Sequence, residues 1–406
     1  MSLRVRAPPG RTRGTNGPMV ATVGLVGFRP APSLVHRVTS PPYDVIKPGS
    51  ALWKLLEAEP LSLFHIILGS EPAAAFDRLR AEGALVPDDE PAYYVYEQRY
   101  LGPEGREESR LGVFVAAEVT PYEAKQVIRH EKTFDDKVKG RIALARATGH
   151  TFGPVFALTR APLKAVLERC TALDPVYELT TDLAGLNDLH GIRSRVFRVT
   201  QASELGAAIQ GVLAADPFYI ADGHHRYHAA LRNGQTHTLV YVTESARIQA
   251  YNRVVRGTRS FAEARSALTL RPTAAFATPP KHSFCFYTRE GSFLVDAKEV
   301  PSDVVGRLDC SILEREVYPH LGLEHSMIAD AAHFDYYPES QLAQMREVVD
   351  RGEYEIAIAL HPVTIDELVA VADAGLGNSE IVMPEKSTFF APKILSGLFV
   401  FRHTLR

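Results

Sequence analysis

The segment at residues 218–231, with the sequence FYIADGHHRYHAAL, constrains the fold and chemistry of this chain more than any other. Its apolar start at 218–221 predicts a strand, Asp222-Gly223 predicts a turn, and 224–231 has the composition of a helix start. This order places two imidazoles and a guanidinium at a helix N-terminus. Unpaired backbone amides and a positive partial charge favour an anion there. The segment therefore predicts a phosphate-binding site.

Individual residues of this segment suggest two kinds of chemistry. Gly223 lets the backbone approach a ligand closely, and Arg226 offers a bidentate fork for phosphate oxygens. Asp222 would then be free to hold a metal ion or to accept a proton. His224 and His228 are four residues apart on one helical face, a spacing that can hold a transition metal. The glutamate of the His-Glu-x-x-His pattern is missing, so metal-dependent hydrolysis is the second interpretation.

Length and composition exclude several classes of protein. A chain of 406 residues is too long for one compact core and predicts two or three domains. A net charge of −3 gives no electrostatic drive toward nucleic acid. No apolar run approaches the roughly 20 residues that a membrane span needs. Cys170, Cys285 and Cys310 are too widely spaced for a metal or redox pair, which favours a reducing cytoplasm.

Proline, glycine and charge divide the chain into regions. Residues 1–18 combine arginines with proline and glycine and hold no apolar segment, which predicts a disordered leader. Strand-like and helix-like segments then mix without a strict βαβ rhythm, which predicts the α+β class, with mixed sheets and flanking helices. Prolines within 270–282 indicate a boundary. The expected domains after the leader are an N-terminal α+β domain at 19–160, a domain with the 218–231 segment at 161–280, and a C-terminal α+β domain at 281–406.

Periodicity and breaker residues predict several individual elements. Residues 71–83 have proline near the first helical position and glycine just past the end, which predicts a helix. Alternation predicts strands at 93–100 and 110–119, and the Gly-Pro-Glu-Gly sequence at 102–105 predicts a hairpin between them. A charged and then alanine-rich run predicts a helix at 135–149.

The run from His130 to Arg141 is rich in reactive polar side chains. His130-Glu131 is a candidate acid–base pair, and Thr133 lies beside it. Together with cations such as Arg141, these residues could serve a phosphoryl group or a small zwitterionic substrate. The same run could equally be a solvated loop followed by a charged helix start.

Two further loops contain candidate residues. Lys386-Ser387-Thr388 is similar to the end of a P-loop, but no Gly-x-x-x-x-Gly precedes it, so a P-loop is excluded. A loop whose lysine contacts phosphate and a loop that packs Phe389-Phe390 into the core both remain as interpretations. The run from Pro41 to Val45 predicts a rigid turn whose Asp44 could cap or bind a ligand.

Four motifs occur in order along the chain: Pro41-Pro42-Tyr43-Asp44-Val45; His130-Glu131-x-Thr133 with Arg141; Ala221-Asp222-Gly223-His224-His225-Arg226-Tyr227; and Met383-Pro384 with Lys386-Ser387-Thr388 and Pro392-Lys393. They resemble the signatures of the bacterial and archaeal family named domain of unknown function 1015. The resemblance covers about residues 23 to 400. That family has no settled activity.

The Asp-Gly-His-His-Arg core is also similar to the nucleotide-phosphate motif of the ParB/sulfiredoxin-like superfamily, which includes the archaeal ADP-dependent free serine kinase. In that superfamily the motif lies at a helix N-terminus and binds the phosphates of ADP, ATP or CTP, often with magnesium. The resemblance implies such a role for residues 222–226 within a ParB/sulfiredoxin-like nucleotide-binding unit. His228 stands where relatives have an acidic residue, and Tyr251-Asn252-Arg253 departs from a Thr-His-Arg-like pattern. Both differences concern the ancillary ligands.

We therefore expect a cytoplasmic, nucleotide-dependent phosphotransferase that uses ATP or ADP with Mg²⁺. Its acceptor would be a small hydroxyl-bearing metabolite, with free serine as the first candidate. It could form a homodimer, with neither nucleic acid nor membrane as a partner. Phosphoryl transfer needs mainly positioning and charge stabilisation, which these residue types supply. The expected site residues are His130, Glu131 (as general base) and Asp222 for catalysis; Gly223, His224, His225, Arg226, Arg141, Lys386, Ser387 and Thr388 for the nucleotide; Tyr43, Asp44 and Thr133 for the substrate; and Asp222 for the metal.

Three alternatives stay open at this point. A metal-dependent hydrolase or phosphatase would use Asp222, His224 and His228 as ligands. A non-catalytic module that binds nucleotide as a switch would need the same phosphate site without turnover. A DNA-binding regulator fits least, since the sequence shows neither a basic patch nor a clear helix-turn-helix.

Overall fold

A computed structural model describes residues 20–102, 105–183 and 189–406. The predicted leader at 1–18 lies outside these residues, and so do the two middle residues of the predicted turn at 102–105. The chain divides into two compact units, Met1–Ala246 with Pro392–Arg406 and Arg247–Ala391.

Neither expected boundary, near residue 160 or near residue 280, coincides with this division. Strand pairing gives the reason in both places. The strand Val155–Leu158 pairs with strands at Phe218–Asp222 and His237–Thr243, which ties together the two sides of residue 160. The strand Arg271–Thr273 pairs with Gly291–Asp296 across residue 280. The three-domain division stays a prediction.

The first unit is a large mixed sheet with helices. Its strands are β1 (Thr22–Val23), β2 (Leu25–Pro30), β3 (Leu85–Leu101), β4 (Glu107–Glu118), β5 (Val127–Ile128), β6 (His150–Thr151), β7 (Val155–Leu158), β8 (Tyr177–Thr181), β9 (Ile192–Thr200), β10 (Phe218–Asp222) and β11 (His237–Thr243). Its helices are α1 (Val35–Val38), α2 (Ala51–Ala58), α3 (Phe64–Ile67), α4 (Pro72–Ala81), α5 (Asp135–Thr148), α6 (Lys164–Cys170), α7 (Glu204–Leu213) and α8 (His224–Arg232).

The second unit has its own sheets and helices. Its strands are β12 (Arg247–Gln249), β13 (Tyr251–Val255), β14 (Arg271–Thr273), β15 (Ser283–Thr288), β16 (Gly291–Asp296), β17 (Phe334–Pro338), β18 (Ile356–Leu360) and β19 (Phe389–Ala391). Its helices are α9 (Phe261–Ala264), α10 (Asp309–Glu316), α11 (Leu342–Asp350) and α12 (Ile365–Gly375). The last strand, β20 (Val400–Arg402), belongs to the first unit.

Within the described residues, the sheet of the first unit has the order β5-β10-β7-β11-β4-β3-β2-β20-β6, with β1, β8 and β9 paired at its side. Most neighbours are antiparallel, but β10 runs parallel to β5 and β11 runs parallel to β7. The second unit contains a six-stranded sheet, β14-β16-β15-β18-β13-β17, and the pair β12-β19. The predicted α+β class with mixed sheets and flanking helices is therefore confirmed.

The composition of strand β10 fits its buried position in the sheet of the first unit. It lies between β5 and β7 in the sheet, and its residues from Phe218 to Ala221 are all buried. A strand covered on both faces is apolar throughout rather than alternating. Phe218 and Ile220 join a hydrophobic core that also takes Tyr227 from helix α8. The core thus fixes both sides of the turn that joins β10 to α8.

None of the helices in the described ranges combines the length and the apolar composition that a membrane span requires.

Candidate functional site

The predicted strand–turn–helix is present as β10, the turn at Gly223 and α8. Gly223 has a φ of 92°, which a residue with a side chain rarely adopts. The amides of Arg226 and Tyr227 donate to the Gly223 carbonyl at 2.9 and 3.0 Å. The amides of His224 and His225, in the first turn, have no acceptor within the helix. They are available to an anion at this end of α8.

The Arg226 side chain folds back over the turn. A Cβ on Gly223 would lie 2.8 Å from the Arg226 Nε, so only glycine leaves room for this position. One terminal nitrogen of Arg226 donates to the Pro154 carbonyl, and the other lies 3.5 Å from Asp222. These contacts fix the guanidinium beside the turn, and the Arg226 side chain is 12% exposed.

The sequence analysis expected a free Asp222 carboxylate, but in the structure this carboxylate is paired with a lysine. Its Oδ2 accepts a hydrogen bond from the Lys393 Nζ at 3.0 Å. Burial raises the pKa of Asp222, but the nearby charges of Lys393 and Arg226 outweigh it and hold the pKa well below the usual range. Two cations beside this carboxylate reduce the negative charge that it could offer to Mg²⁺, so Asp222 alone does not make a magnesium site.

Lys393 reaches Asp222 because buried side chains from strands β3 and β4 hydrogen-bond to the backbone at residues 392–393. Its carbonyl accepts from the Gln98 side chain at 3.3 Å, and Arg110 donates to the Pro392 carbonyl at 2.5 Å. Both side chains are 1% exposed. Lys393 also lies 3.9 Å from Asp44. Sequence reasoning did not choose Lys393 as a site residue. The signal that could have found it is its place in the last motif, directly after Pro392.

A short backbone pairing holds Tyr43 and Asp44 close to Lys393. Ser40 and Ser396 exchange hydrogen bonds at 3.1 and 2.8 Å, which joins the run before Tyr43 to the run after Lys393. The Tyr43 ring then lies under a guanidinium, with 4.1 Å between its centroid and the central carbon of Arg141. The first, second and third motifs and the Pro392-Lys393 pair of the fourth thus meet in the first unit.

Arg141 makes no ion pair with a carboxylate in the ranges that the structure describes. Burial and the nearby charge of Arg226 lower the pKa of Arg141. Two guanidinium groups held close together repel each other, and an oxyanion between them would remove this cost.

A cavity of about 60 Å³ lies against these cations. Its lining includes Tyr43, Arg141 and Arg226, and the polar side chains of Gln235, Thr238 and Ser396. A single water needs roughly 15 Å³ and a pocket for a drug-sized ligand about 300–1,000 Å³. The cavity therefore has room for a small oxyanion, such as a phosphate group.

His130, Glu131 and His224 form a second cluster. Each offers an atom within 4.8 Å of the others, so they could hold a metal ion. The Glu131 oxygens lie 3.7 Å from the His130 Nε2 and 3.5 Å from the His224 Nδ1. Two nitrogens and one carboxylate oxygen suit a transition metal better than Mg²⁺.

Protonation in this cluster follows from burial and close charges. Burial raises the pKa of Glu131, but the adjacent imidazole groups of His130 and His224 outweigh it and lower this pKa to about 2. Burial and neighbouring His130 lower the pKa of His224 to about 3. At neutral pH, Glu131 is therefore ionised and His224 is uncharged. The His224 Nε2 accepts the His130 backbone N–H at 3.4 Å, which leaves the imidazole proton on Nδ1, facing Glu131.

The other two histidines of the segment, His225 and His228, contact aromatic rings. The His225 Nε2 accepts from the Phe134 amide at 3.1 Å, and its ring stacks on that of Phe134. Burial and the charge of Lys137 lower the pKa of His225 to about 4, so it too is uncharged at neutral pH. His228 stacks on Tyr122, with 6.0 Å between ring centroids. The positive charge of the site thus comes from arginine and lysine rather than from the two imidazoles that the sequence suggested.

Thr133 is half-buried two residues after Glu131. Lys386-Ser387-Thr388, predicted to bind the nucleotide, lie in the second unit directly before β19. Lys386 has a φ of 62°, and the Ser387 hydroxyl donates to the Pro384 carbonyl at 2.5 Å. Phe389 and Phe390 of β19 are buried. The loop therefore does pack its two phenylalanines inward, and the phosphate role of Lys386-Ser387-Thr388 stays a prediction.

Comparison with known proteins gives remote structural neighbours. A free serine kinase in complex with AMP is 12% identical over 71% of this chain and 92% of its own, with a TM-score of 0.37. A truncated SbnI from Staphylococcus aureus is 12% identical over 71% and 87%, with a TM-score of 0.38. A conserved hypothetical protein from Pyrococcus furiosus is 12% identical over 71% and 95%, with a TM-score of 0.35. No curated protein matches the chain.

A family described as "protein of unknown function (DUF1015)" matches residues 25–311, which is more than half of the chain. The match covers the first three motifs and ends before Lys386 and Lys393. It also agrees with the resemblance that the ordered motifs indicated. The chain therefore belongs to the DUF1015 family.

Proposed function

We propose that this protein is a nucleotide-dependent phosphotransferase that acts on a small hydroxyl-bearing metabolite. One observation carries the proposal: Arg141 and Arg226 line a single cavity together with Ala229 and Ala230 of α8, and Arg141 forms no ion pair with a carboxylate in the described ranges. Two guanidinium groups at the wall of one cavity suit a phosphate group, because its oxygens can accept bidentate hydrogen bonds from each of them. The first-turn amides of α8 add donors of the same kind.

The expected roles follow from the positions of the side chains. Arg226, Arg141 and the amides of His224 and His225 would bind the phosphates, and Gly223 would let the backbone approach them. Lys393, although paired with Asp222, would supply charge at the same place. Glu131 would accept or orient the proton of the acceptor hydroxyl. A pKa of about 2 makes Glu131 a weak base. Orientation matters more than proton removal in the loose transition state of phosphoryl transfer, so a weak base is compatible with the role.

The nucleotide and the acceptor are proposed from motif similarity. The Asp-Gly-His-His-Arg segment is similar to that of free serine kinases, so ADP, ATP and free serine are the first ligands to test. Magnesium would enter with the nucleotide, whose phosphates supply most of its ligands. Tyr43, Asp44 and Thr133 stay proposed acceptor contacts. A cytoplasmic location and a homodimer also stay predictions.

Calorimetric titration of ATP and ADP, with and without Mg²⁺, tests the phosphate site. Arg226→Ala and Arg141→Ala should each weaken binding by at least tenfold, because each removes one of the two guanidiniums at the cavity. Arg232→Ala is the matched control. Arg232 lies on the same helix, is 42% exposed and pairs with Asp135. Unchanged affinity in both cavity variants would remove the proposal, and binding without transfer to any hydroxyl compound would favour the nucleotide-sensing alternative.

A metal-dependent hydrolase is the second candidate, because His130, Glu131 and His224 could hold a metal ion. It ranks second because a metal held by these three residues leaves Arg141 and Arg226 at the cavity without a role. Elemental analysis of the purified protein separates the two candidates. Stoichiometric zinc or manganese that is lost in Glu131→Gln, with no nucleotide binding, would favour the hydrolase.

A further inference from the structure

Arg253 is a buried cation in the middle of the second unit. It lies on β13, between β17 and β18 in the six-stranded sheet, and is 3% exposed. Arginine is almost never fully buried unless it is paired. A charge removed from water costs several kcal/mol unless a counter-ion or a full set of hydrogen bonds compensates it.

The hydrogen bonds of Arg253 are far from complete. One terminal nitrogen donates to the Lys386 carbonyl at 3.3 Å. The Nε and the other terminal nitrogen are buried and have no partner in the described part of the chain. A guanidinium has five N–H donors, so most of them are unused. The centroid of the Tyr336 ring lies 5.7 Å from the guanidinium carbon.

The thiol and phenol groups next to Arg253 do not supply a negative charge. Burial raises the pKa of the Cys310 thiol, and it raises the pKa of Tyr318 to about 12. Burial also raises the pKa of Tyr336. These groups are therefore neutral at neutral pH. The carboxylate of Glu314, which acts on Arg253 electrostatically, accepts a hydrogen bond from His325 at 2.7 Å and forms no ion pair with Arg253.

A second cation and a hydroxyl stand close to Arg253. The Lys386 Nζ lies 5.6 Å from the centroid of the Tyr336 ring, the ring that Arg253 also faces. The next residue, Ser387, is 5% exposed, and its hydroxyl lies 3.2 Å from the Cys310 sulfur. The positive charges of Arg253 and Lys386, both near the Tyr336 ring, repel each other. An anion bound near both would attract each of them and so compensate this repulsion.

We propose that Arg253, with Lys386 and Ser387, forms an oxyanion-binding site in the second unit. Its ligand is the phosphate or carboxylate group of a small molecule, because a planar guanidinium with unused donors matches both groups in bidentate geometry. The inference adds Arg253 to the expected phosphate role of Lys386-Ser387-Thr388. It does not depend on what the first unit binds.

The test uses the full chain and a variant that separates binding from structure. Arg253→Met keeps the volume and removes the charge. Since a well-packed apolar side chain costs less than an unpaired buried charge, the ligand-free variant should melt at the same temperature as the parent or higher. A structural arginine would give the opposite result. Arg256→Met is the control, because Arg256 follows β13 directly and is exposed.

Binding is measured by calorimetry with inorganic phosphate, ATP and L-serine, all in an Arg226→Ala background so that the first-unit cavity contributes little. At least one probe should bind and should be weakened tenfold or more by Arg253→Met but not by Arg256→Met. Phosphate and ATP binding would identify a phosphate site, and L-serine binding a carboxylate site. If no probe binds at millimolar concentration, or if Arg253→Met binds as well as its control, the proposal is overturned.

Arg253→Lys covers the case in which the methionine variant does not fold. Lysine keeps the charge but presents a point charge in place of the planar fork. If Arg253 binds the oxyanion, this variant should fold and bind the same probe several-fold more weakly. Unchanged affinity in Arg253→Lys would count against the site.

Discussion

The Nζ of Lys393 lies 3.0 Å from the Oδ2 of Asp222, although 171 residues separate the two in sequence. Lys393 is 8% exposed and Asp222 is 24% exposed, so the pair is mostly removed from water. Breaking such a pair leaves one charge without its partner, which costs more than losing a surface ion pair. The pair therefore couples the last segment of the first unit to the turn at the start of α8.

Lys393→Met should lower the free energy of unfolding by about 2 kcal/mol, because it leaves the Asp222 carboxylate with Arg226 alone. Adding Asp222→Asn should recover part of this loss, since the double variant no longer holds a mostly buried carboxylate that has lost its lysine. Urea denaturation of the parent, both single variants and the double variant gives the coupling energy directly. A double variant whose loss equals the sum of the single losses would show that the two side chains do not interact.

Local structure was predictable because it depends on neighbours in sequence. The predicted helix at 71–83 appears as α4, with proline in its first turn and Gly83 at a φ of 69° beyond its end. The predicted strands at 93–100 and 110–119 appear as the antiparallel pair β3 and β4. The helix predicted at 135–149 appears as α5, and the strand–turn–helix at 218–231 has the predicted order.

Long-range pairing was not predictable from the same reasoning. The position of Lys393 depends on buried contacts with Gln98 and Arg110, which come from the two central strands. Nothing in local composition indicates which lysine will reach Asp222. Two Arg253 nitrogens have no hydrogen-bond partner in the described ranges, and the sequence could not predict this, because it depends on all the side chains around Arg253. The uncharged state of His224 and His225 also follows from burial that only the fold defines.

Gly223→Ala should destabilise the protein by more than the same change at another glycine with positive φ. The substitution strains a backbone at φ 92° and places a Cβ 2.8 Å from the Arg226 Nε. Gly234→Ala is the matched control, because Gly234 has a φ of 69° and an alanine Cβ at this position would have no other atom within 4 Å. We expect a loss of about 1 kcal/mol at Gly234 and about 2 kcal/mol at Gly223 by urea denaturation. Equal losses would mean that Arg226 moves aside without cost.

Acid should destabilise the first unit through His403. Burial and the neighbouring His150 lower the pKa of His403 from an ordinary 6.5 to about 4 in the folded state. The unfolded chain therefore binds more protons between these values, so stability is complete above pH 6.5 and is lost as the pH falls toward 4. Near pH 5, the free energy of unfolding should rise with pH less steeply in His403→Gln than in the parent. The difference in slope should be up to about 1.4 kcal/mol per pH unit. Urea titrations at pH 5 and pH 7 measure it, with His36→Gln as an exposed control. Equal slopes in the parent and His403→Gln would contradict this assignment.

Glu131→Gln should separate binding from transfer if the proposed phosphotransferase activity is present. The amide keeps the size of the side chain and can still hydrogen-bond to His224, but it cannot accept a proton. We expect kcat for phosphate transfer to fall about 100-fold, which is the low end of the range for loss of a general base. The fall is small because a pKa of about 2 makes Glu131 a weak base. The nucleotide affinity should change little, since Arg141 and Arg226 are intact. Glu123→Gln, at an exposed position shortly before, controls for the loss of a carboxylate. A Glu131→Gln variant with the kcat of the parent would exclude Glu131 from the chemical step, whereas a variant with normal kcat and a raised KM would make it an acceptor-binding residue.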